Sequence, residues 1–170
     1  MKEMDALYPS DKKECYKLIQ AQLHALFEKE PFVIPNLSNT SALLNGALKN
    51  INWVGFYLLR DDELLLGPFQ GKTACIHIPI GKGVCGTAVS ENKTMVVMDV
   101  HQFPGHIACD SASRSEIVIP IHFNHKIIGV LDIDSPILER FDELDKEGLE
   151  EVVRILEKAC NWTDTYNYSF

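Results

Sequence analysis

The sequence predicts an α+β domain with a central, mainly antiparallel sheet of about six strands and with N- and C-terminal helices packed on one face. Apolar residues recur at helical spacing near both ends of the chain, and short strand-like runs separated by turn residues lie between them. Helices that flank a run of strands favour a sheet with helices on one of its faces. The 170 residues fit one domain, so we expect residues 1–170 to form a single unit.

The N-terminal part of the chain predicts two helices. The first covers about residues 11–28, with Ser10 as its N-cap, and Pro31 and Pro35 end it. Asn36 is expected to cap the second. The apolar stripe of each helix is typical of a core or dimer face. Helices that flank a sheet also favour a homodimer.

The middle of the chain predicts two hairpins. WVGFYLLR and ELLLGPF are joined by a two-residue acidic turn, and EIVIPIHF and KIIGVLDIDS are joined by Asn124-His125. Between the hairpins, the strand patterns ACIHIPI and MVVMDV flank a short helix over about residues 84–91, and a long shaped loop follows. A last helix is expected over about residues 142–161.

The composition excludes several classes of function. The net charge of −8 argues against a nucleic-acid partner, because phosphates require a basic surface, and it offers no polybasic patch for a membrane. No apolar run reaches the roughly 20 residues of a membrane span, and the N-terminus does not resemble a signal peptide. The five cysteines are not a dense disulfide framework. We therefore expect a cytoplasmic protein, in which reactive cysteines are catalytic or bind metal.

Three of the cysteines lie among glycine, proline and small polar residues. Cys75 is in GKTACIHIPIG, Cys85 in GKGVCGTA and Cys109 in FPGHIACDSAS. Such segments turn sharply and approach other groups closely, which indicates a redox relay or a metal site. Cys15 and Cys160 fall on apolar helical stripes and are expected to be buried core thiols.

Cys109 has the residue context of a nucleophile. It follows a proline-glycine turn with His106 nearby, and an imidazolium favours the reactive thiolate. Two alternatives remain open from the residues alone: an inert loop cysteine, or a zinc site that combines this pair with Cys75 and His77. The metal signal is weak because the chain has no Cys-x-x-Cys pair.

Asp132 and Asp134, two residues apart in GVLDIDS, share one face of a strand. Neighbouring carboxylates raise one another's pKa, so one of them can keep a proton near neutral pH. Such a group can donate a proton to a leaving oxygen or bind an ammonium group. Glu116 opens the preceding strand and can reach the same end of the sheet. The alternative is a solvated strand end.

Trp53 and Tyr57 are four residues apart in a strand and also share a face. Aromatic residues in strands usually belong to the core. Beside acidic groups, however, they can form the walls of a pocket for a small cationic or methylthio-bearing ligand. The glycines of IGKGVCG do not have the spacing of a phosphate-binding loop, so no nucleotide site is expected.

Six motifs in order resemble the free methionine-(R)-sulfoxide reductases, which are single-GAF-domain enzymes that reduce the R-epimer of free methionine sulfoxide. The motifs are NWVGFY, LLLGPFQGK-ACI, IGKGVCGTA, DVHQFPGHIACD, SEIVIPI and GVLDIDSP, and the resemblance covers about residues 21–155. It implies a GAF-like fold. Two small departures are His77, where a basic residue such as arginine is expected, and His125, where glycine is common.

The resemblance implies a role for each of the three thiols. Cys109 attacks the sulfoxide and becomes a sulfenic acid, Cys75 forms a disulfide with it, and Cys85 takes over that bond by exchange. Thioredoxin is the expected reductant, and no metal or other cofactor is required. The residues do not decide whether Cys75 or Cys85 resolves first.

The resemblance also implies the walls of a substrate pocket. Trp53 and Tyr57 correspond to the residues that pack the substrate methyl group. Glu116, Asp132 and Asp134 correspond to carboxylates that bind the substrate amine and assist at the sulfoxide oxygen, with Asp134 or Glu116 as the proton donor. Two other classes remain as alternatives: a non-catalytic GAF module that senses a small ligand, and a zinc-binding structural domain.

Overall fold

The described residues form one antiparallel sheet. The computed structural model describes residues 8–105 and 111–163. The strands in chain order are β1 (Trp53–Arg60), β2 (Glu63–Gly71), β3 (His77–Pro79), β4 (Met95–Val97), β5 (Ser115–Phe123) and β6 (Lys126–Ser135). They are arranged across the sheet as β3-β2-β1-β6-β5-β4, and every neighbouring pair is antiparallel.

Helices cover the two faces of the sheet unequally. The helices are α1 (Lys12–Leu26), α2 (Val33–Ala47), α3 (Gly83–Glu91) and α4 (Glu143–Ala159). The apolar sides of α1, α2 and α4 pack together against one face and form the larger core. Short α3 covers the other face over a second, smaller core. This arrangement confirms the predicted α+β class, with the terminal helices on one face.

Two helix starts differ from the prediction. The N-cap of α1 is Asp11 and not Ser10, because the Asp11 side chain accepts the backbone N–H that the first turn leaves unpaired. The second helix begins at Val33, ahead of Asn36. Pro35 lies in its first turn, where no backbone N–H is needed, so this proline starts a helix where the sequence reading expected one to end.

The last helix begins at a buried ionic cluster. Asp142 caps α4 in a capping box with Asp145, whose side chain is almost fully buried. The Asp145 carboxylate contacts Lys12 Nζ at 2.5 Å, the Arg140 guanidinium at 3.1 Å and the Tyr16 hydroxyl at 2.9 Å. These contacts join α1 to α4.

Both predicted hairpins are present. The β5–β6 turn places Asn124 and His125 at φ 49° and 63°, a left-handed turn that asparagine accepts. The strand predicted from ACIHIPI is shorter than expected. Ile76 is 62% exposed whereas Ile78 is buried, because the regular strand begins only at His77.

The long loop between β4 and β5 is anchored to the sheet at its two ends. The N–H of Val100 donates to the Arg114 carbonyl oxygen at 2.9 Å, and the N–H of Arg114 donates to the Ser135 carbonyl oxygen at 2.7 Å. Residues 106–110 between these anchors, which include His106 and Cys109, lie outside the described residues. In the part of the chain that is described, no helix is long and apolar enough to cross a membrane.

Candidate active site

The acidic residues of the central strands meet at one end of the sheet. In the β5–β6 register Glu116 lies opposite Asp134, and on the other side of β6 Trp53 also lies opposite Asp134. Asp132 lies opposite Gly55. Since side chains alternate along a strand, Trp53, Glu116, Asp132 and Asp134 all belong to the face that α3 covers.

Helix α3 brings a thiol to these carboxylates. Cys85 Sγ lies 4.0 Å from Glu116 Oε1, and one ligand atom each of Cys85, Glu116 and Asp132 lies within 4.8 Å of the others. All three residues are buried, with exposed fractions of 3%, 6% and 6%. The Asp132 side chain hydrogen-bonds both Glu116 and Cys85, but its Oδ1 atom has no hydrogen-bond partner. We call these three residues the acid–thiol cluster.

Burial makes the acid–thiol cluster retain protons. Burial, reinforced by the charges of Asp132 and Asp134, raises the pKa of Glu116 well above its usual value. Burial likewise raises the pKa of Asp132 to about 6. The pKa of the Cys85 thiol is also raised, first by burial and then by the surrounding carboxylates. A hydrogen bond between two carboxyl groups requires a proton, so Glu116 and Asp132 form the proton-sharing pair, whereas the sequence argument considered Asp132 and Asp134.

Stacked aromatic rings form a wall beside the acid–thiol cluster. The ring of Trp53 stacks on Tyr57 at a centroid distance of 5.8 Å and on Phe69 at 5.3 Å. A side chain at Gly55 would place Cβ 2.3 Å from Phe69 Cβ and 2.7 Å from the Trp53 ring, so the stack requires glycine there. Phe69 was not among the residues predicted from the sequence. The first hairpin contained the signal, because its register places Phe69 opposite Gly55.

The same aromatic residues hold the segment that carries Cys75. The Trp53 indole N–H donates to the Lys72 carbonyl oxygen at 3.1 Å, and the Tyr57 hydroxyl donates to the Cys75 carbonyl oxygen at 3.0 Å. Tyr57 is a neutral donor, since burial and the nearby carboxylates raise the pKa of its hydroxyl. The stacked aromatic rings and the Cys75 segment are therefore directly connected.

The described cysteines differ in their chemical state. Cys75 is disulfide-bonded, whereas Cys85, Cys15 and Cys160 are free and buried. Cys15 and Cys160 belong to the larger core on the helical face, as expected for structural thiols. His77, the suggested zinc partner of Cys75, instead pairs with Glu63 Oε1 at 2.9 Å on the exposed surface.

Comparison with known proteins identifies the class of domain to which this chain belongs. The GAF domain model matches residues 11–160, which is most of the chain, so this is a GAF domain protein. The free methionine-R-sulfoxide reductase of Escherichia coli (strain K12) is 53% identical over 154 residues, and the alignment covers 91% of this chain and 93% of that protein.

Solved structures agree with this relationship. The reduced form of fRMsr of Staphylococcus aureus is 65% identical with a TM-score of 0.83, and the match covers 85% of this chain and 94% of that one. The free methionine-R-sulfoxide reductase from Neisseria meningitidis, in complex with its substrate, is 48% identical with a TM-score of 0.86, with coverage of 89% and 91%. The chain belongs to the free methionine-(R)-sulfoxide reductases, a family of oxidoreductases that act on sulfur groups.

Proposed function

We propose that this chain reduces free L-methionine-(R)-sulfoxide to methionine through a cysteine sulfenic acid and an intramolecular disulfide. The observation that carries the proposal is the acid–thiol cluster, buried beside stacked aromatic rings that also hold the disulfide-bonded Cys75. Relatives named for this activity and aligned over most of the chain support it. Residues 1–170 would act as one domain.

The pocket selects a small molecule with a free ammonium group. Glu116, Asp132 and Asp134 bind the α-ammonium, while Trp53 and Tyr57 pack against the methyl group on sulfur. When the nitrogen is part of a peptide bond the ammonium is lost, which leaves buried acceptors unsatisfied. The proposal therefore includes discrimination against methionine sulfoxide within proteins.

In the chemical step the Cys109 thiolate attacks the sulfoxide sulfur, and a protonated carboxyl group donates to the departing oxygen. The protonated oxygen is transferred from the methionine sulfur to the Cys109 sulfur as the bond between the two sulfur atoms breaks. Methionine leaves as the thioether, and Cys109 becomes a sulfenic acid. Glu116 or Asp134 is the proposed donor. The raised pKa of Glu116 supports that residue, because a general acid must hold its proton at the working pH.

The remaining steps return Cys109 to a thiol. The Cys75 thiol condenses with the sulfenic acid, releasing water and forming a disulfide, and the disulfide-bonded state of Cys75 supports its acting first. Cys85 then takes over the bond by exchange, and the two thiols of thioredoxin reduce it. Because Cys85 is buried, its exchange with an external reductant requires the thiol to become more accessible. A cytoplasmic location fits this reductant, and a homodimer is expected.

The test is NADPH consumption in the presence of thioredoxin and its reductase. Three substrates are compared: free methionine-R-sulfoxide, the free S-epimer and a peptide that contains methionine sulfoxide. Turnover confined to the free R-epimer is expected. If none of the three is consumed by enzyme with reduced thiols, the proposal is wrong, and a non-catalytic GAF sensor of a small ligand becomes the better explanation.

A further inference from the structure

We propose that Cys85, Glu116 and Asp132 form a binding site for a thiophilic divalent cation, with Zn²⁺ as the expected ion, and that this cation competes with the substrate ammonium. Only the competition rests on the proposed function. The binding itself follows from the side chains of the acid–thiol cluster.

The donor set and its spacing fit zinc. Zinc binds thiolate sulfur at about 2.3 Å and carboxylate oxygen at about 2.0–2.2 Å in tetrahedral sites. Ligand atoms around such an ion are separated by roughly 3.3–3.8 Å. Those of the acid–thiol cluster lie within 4.8 Å of one another, with Cys85 Sγ 4.0 Å from Glu116 Oε1. A small inward movement would therefore give three protein ligands and leave one position open.

An unsatisfied buried atom points to a ligand at this place. Asp132 is 6% exposed, and its Oδ1 atom has no hydrogen-bond partner. An unpaired buried acceptor costs about 1–3 kcal/mol, and a coordinated cation removes that cost. The unpaired Asp132 oxygen is buried beside two other donor groups, which distinguishes this cluster from acidic groups on a surface.

The local charge also favours a cation. Within the described residues, the charged groups that act on Cys85 and Glu116 are carboxylates: Asp132 and Asp134 act on both, and Glu116 acts on Cys85. A divalent cation would offset two of these negative charges. Hard cations such as Mg²⁺ prefer all-oxygen ligands, so the Cys85 sulfur selects for a softer ion.

The site does not depend on the other two thiols proposed to act in the reaction. Cys85 is free while Cys75 is disulfide-bonded. A cation at the acid–thiol cluster would hold Cys85 as a coordinated thiolate and would occupy the carboxylates that bind the ammonium. It would therefore block both substrate binding and thiol exchange through Cys85.

The test uses the double variant Cys75→Ser with Cys109→Ser, which keeps Cys85 but removes the other two thiols proposed to act in the reaction. Metal-free protein is titrated with Zn²⁺ against a chromophoric chelator, and with Co²⁺ to detect the sulfur-to-cobalt charge-transfer band. One equivalent of metal and a clear band are expected. Adding Cys85→Ser should remove the band and weaken zinc binding at least tenfold.

Two further variants make the result specific. Cys160→Ser removes a buried free thiol from the other core and should leave binding unchanged. Asp132→Asn keeps the side-chain shape but removes the charge, and it should weaken zinc binding by about tenfold or more even if Cys85→Ser does not fold. A cobalt band that survives Cys85→Ser, or zinc affinity unaffected by Asp132→Asn, would overturn the proposal.

Displacement by substrate separates this proposal from the reductase assignment. Because Cys109→Ser prevents turnover, free methionine-R-sulfoxide can be added to the cobalt-loaded double variant as a simple competitor. Loss of the cobalt band is expected. A band that depends on Cys85 but that methionine sulfoxide does not reduce would support the metal site and overturn its competition with the substrate, while the NADPH assay tests the reductase assignment separately.

Discussion

Asp132 is held in an environment that favours its protonated form. Burial raises its pKa from 3.8 to about 6, so the folded state keeps this proton to a higher pH than the unfolded state does. The folded protein therefore has this stabilisation in full below about pH 4 and loses it as the pH rises through about 6. At neutral pH the ionised Asp132 opposes folding.

The variant Asp132→Asn should consequently be more stable than the parent protein at pH 8 while binding substrate more weakly. One pKa unit corresponds to about 1.4 kcal/mol, so we expect a gain of roughly 1–3 kcal/mol in the free energy of unfolding. Urea denaturation at pH 5 and pH 8 measures it, and the gain should be larger at pH 8. Equal gains at both pH values would show that ionisation of Asp132 is not the cause.

Variants that lack one of the two thiols proposed to act first should lose different steps of the reaction. Cys109→Ser removes the nucleophile, so no methionine should form. Cys75→Ser keeps the nucleophile but removes the resolving thiol, so about one equivalent of methionine should form without continued turnover. Rapid-quench quantification of methionine separates these results, and Cys160→Ser, altered in the other core, should turn over normally. Continued turnover by Cys109→Ser would remove that residue from the reaction.

Strand β1 connects the proposed substrate pocket to the segment before β3. Its Tyr57 hydroxyl and Trp53 indole hold the Cys75 and Lys72 carbonyl groups, so one strand contributes two of the stacked rings and the supports of the proposed resolving thiol. Hydrogen bonds of this kind contribute about 0.5–1.5 kcal/mol each. They are strong enough to bias the position of Cys75 without fixing it permanently.

Tyr57→Phe keeps the stacked ring but removes the hydrogen bond to the Cys75 carbonyl oxygen. Disulfide formation should slow by roughly 2–10-fold, and by more than the release of the first methionine. Single-turnover experiments that follow methionine and thiol loss separately make this comparison. Tyr8→Phe is the matched control, because it removes a tyrosine hydrogen bond to Gln22 at a distance from the pocket. Equal slowing of both steps in Tyr57→Phe would indicate general damage to the pocket.

Among the secondary-structure elements, the features that depend on local periodicity could be predicted from the sequence. Both central hairpins and the shared face of Asp132 and Asp134 follow from alternation along strands and from turn residues. The start of α2 was missed because Pro35 reads equally as a helix end and as a first-turn residue. The contact between Cys85 and Glu116 could not be predicted, since it depends on how α3 crosses the sheet.

The whole molecule is stabilised by close packing of the first helix on the last. A Cβ atom at Gly148 would lie 2.3–2.6 Å from ring atoms of Tyr16, whose hydroxyl donates to buried Asp145. The two helices therefore approach each other only because this position has no side chain. This contact secures the side of the sheet opposite the proposed active site.

Gly148→Ala should destabilise the protein by about 1–3 kcal/mol, because overpacking displaces Tyr16. Gly46→Ala is the matched control: its added Cβ meets no atom within 4 Å in α2, and alanine favours a helix over glycine by about 0.5–1 kcal/mol. Thermal and urea denaturation should therefore shift in opposite directions for the two variants. A neutral Gly148→Ala would mean that α1 and α4 can separate without cost.

The family resemblance predicted the GAF-like fold and the class of enzyme, which residue patterns alone could not. Residue types left Cys109 open between nucleophile, inert thiol and metal ligand, because reactivity depends on neighbours that are distant in sequence. Stacking of Phe69 on Trp53, by contrast, follows from the register of one local hairpin and could have been predicted from it. Long-range pairing decides which side chains meet, and short windows of sequence do not contain it.

Burial of the free thiols has a consequence for their reaction with oxidants. Peroxides react with thiolates, and burial raises the pKa of Cys15, Cys85 and Cys160, which keeps each of them as a protonated thiol. An enzyme that repairs oxidised methionine meets the same oxidants that produce its substrate. The fold therefore holds three of its five cysteine sulfur atoms in the protonated form that oxidants attack slowly, and one of the three, Cys85, is also a thiol of the proposed cycle.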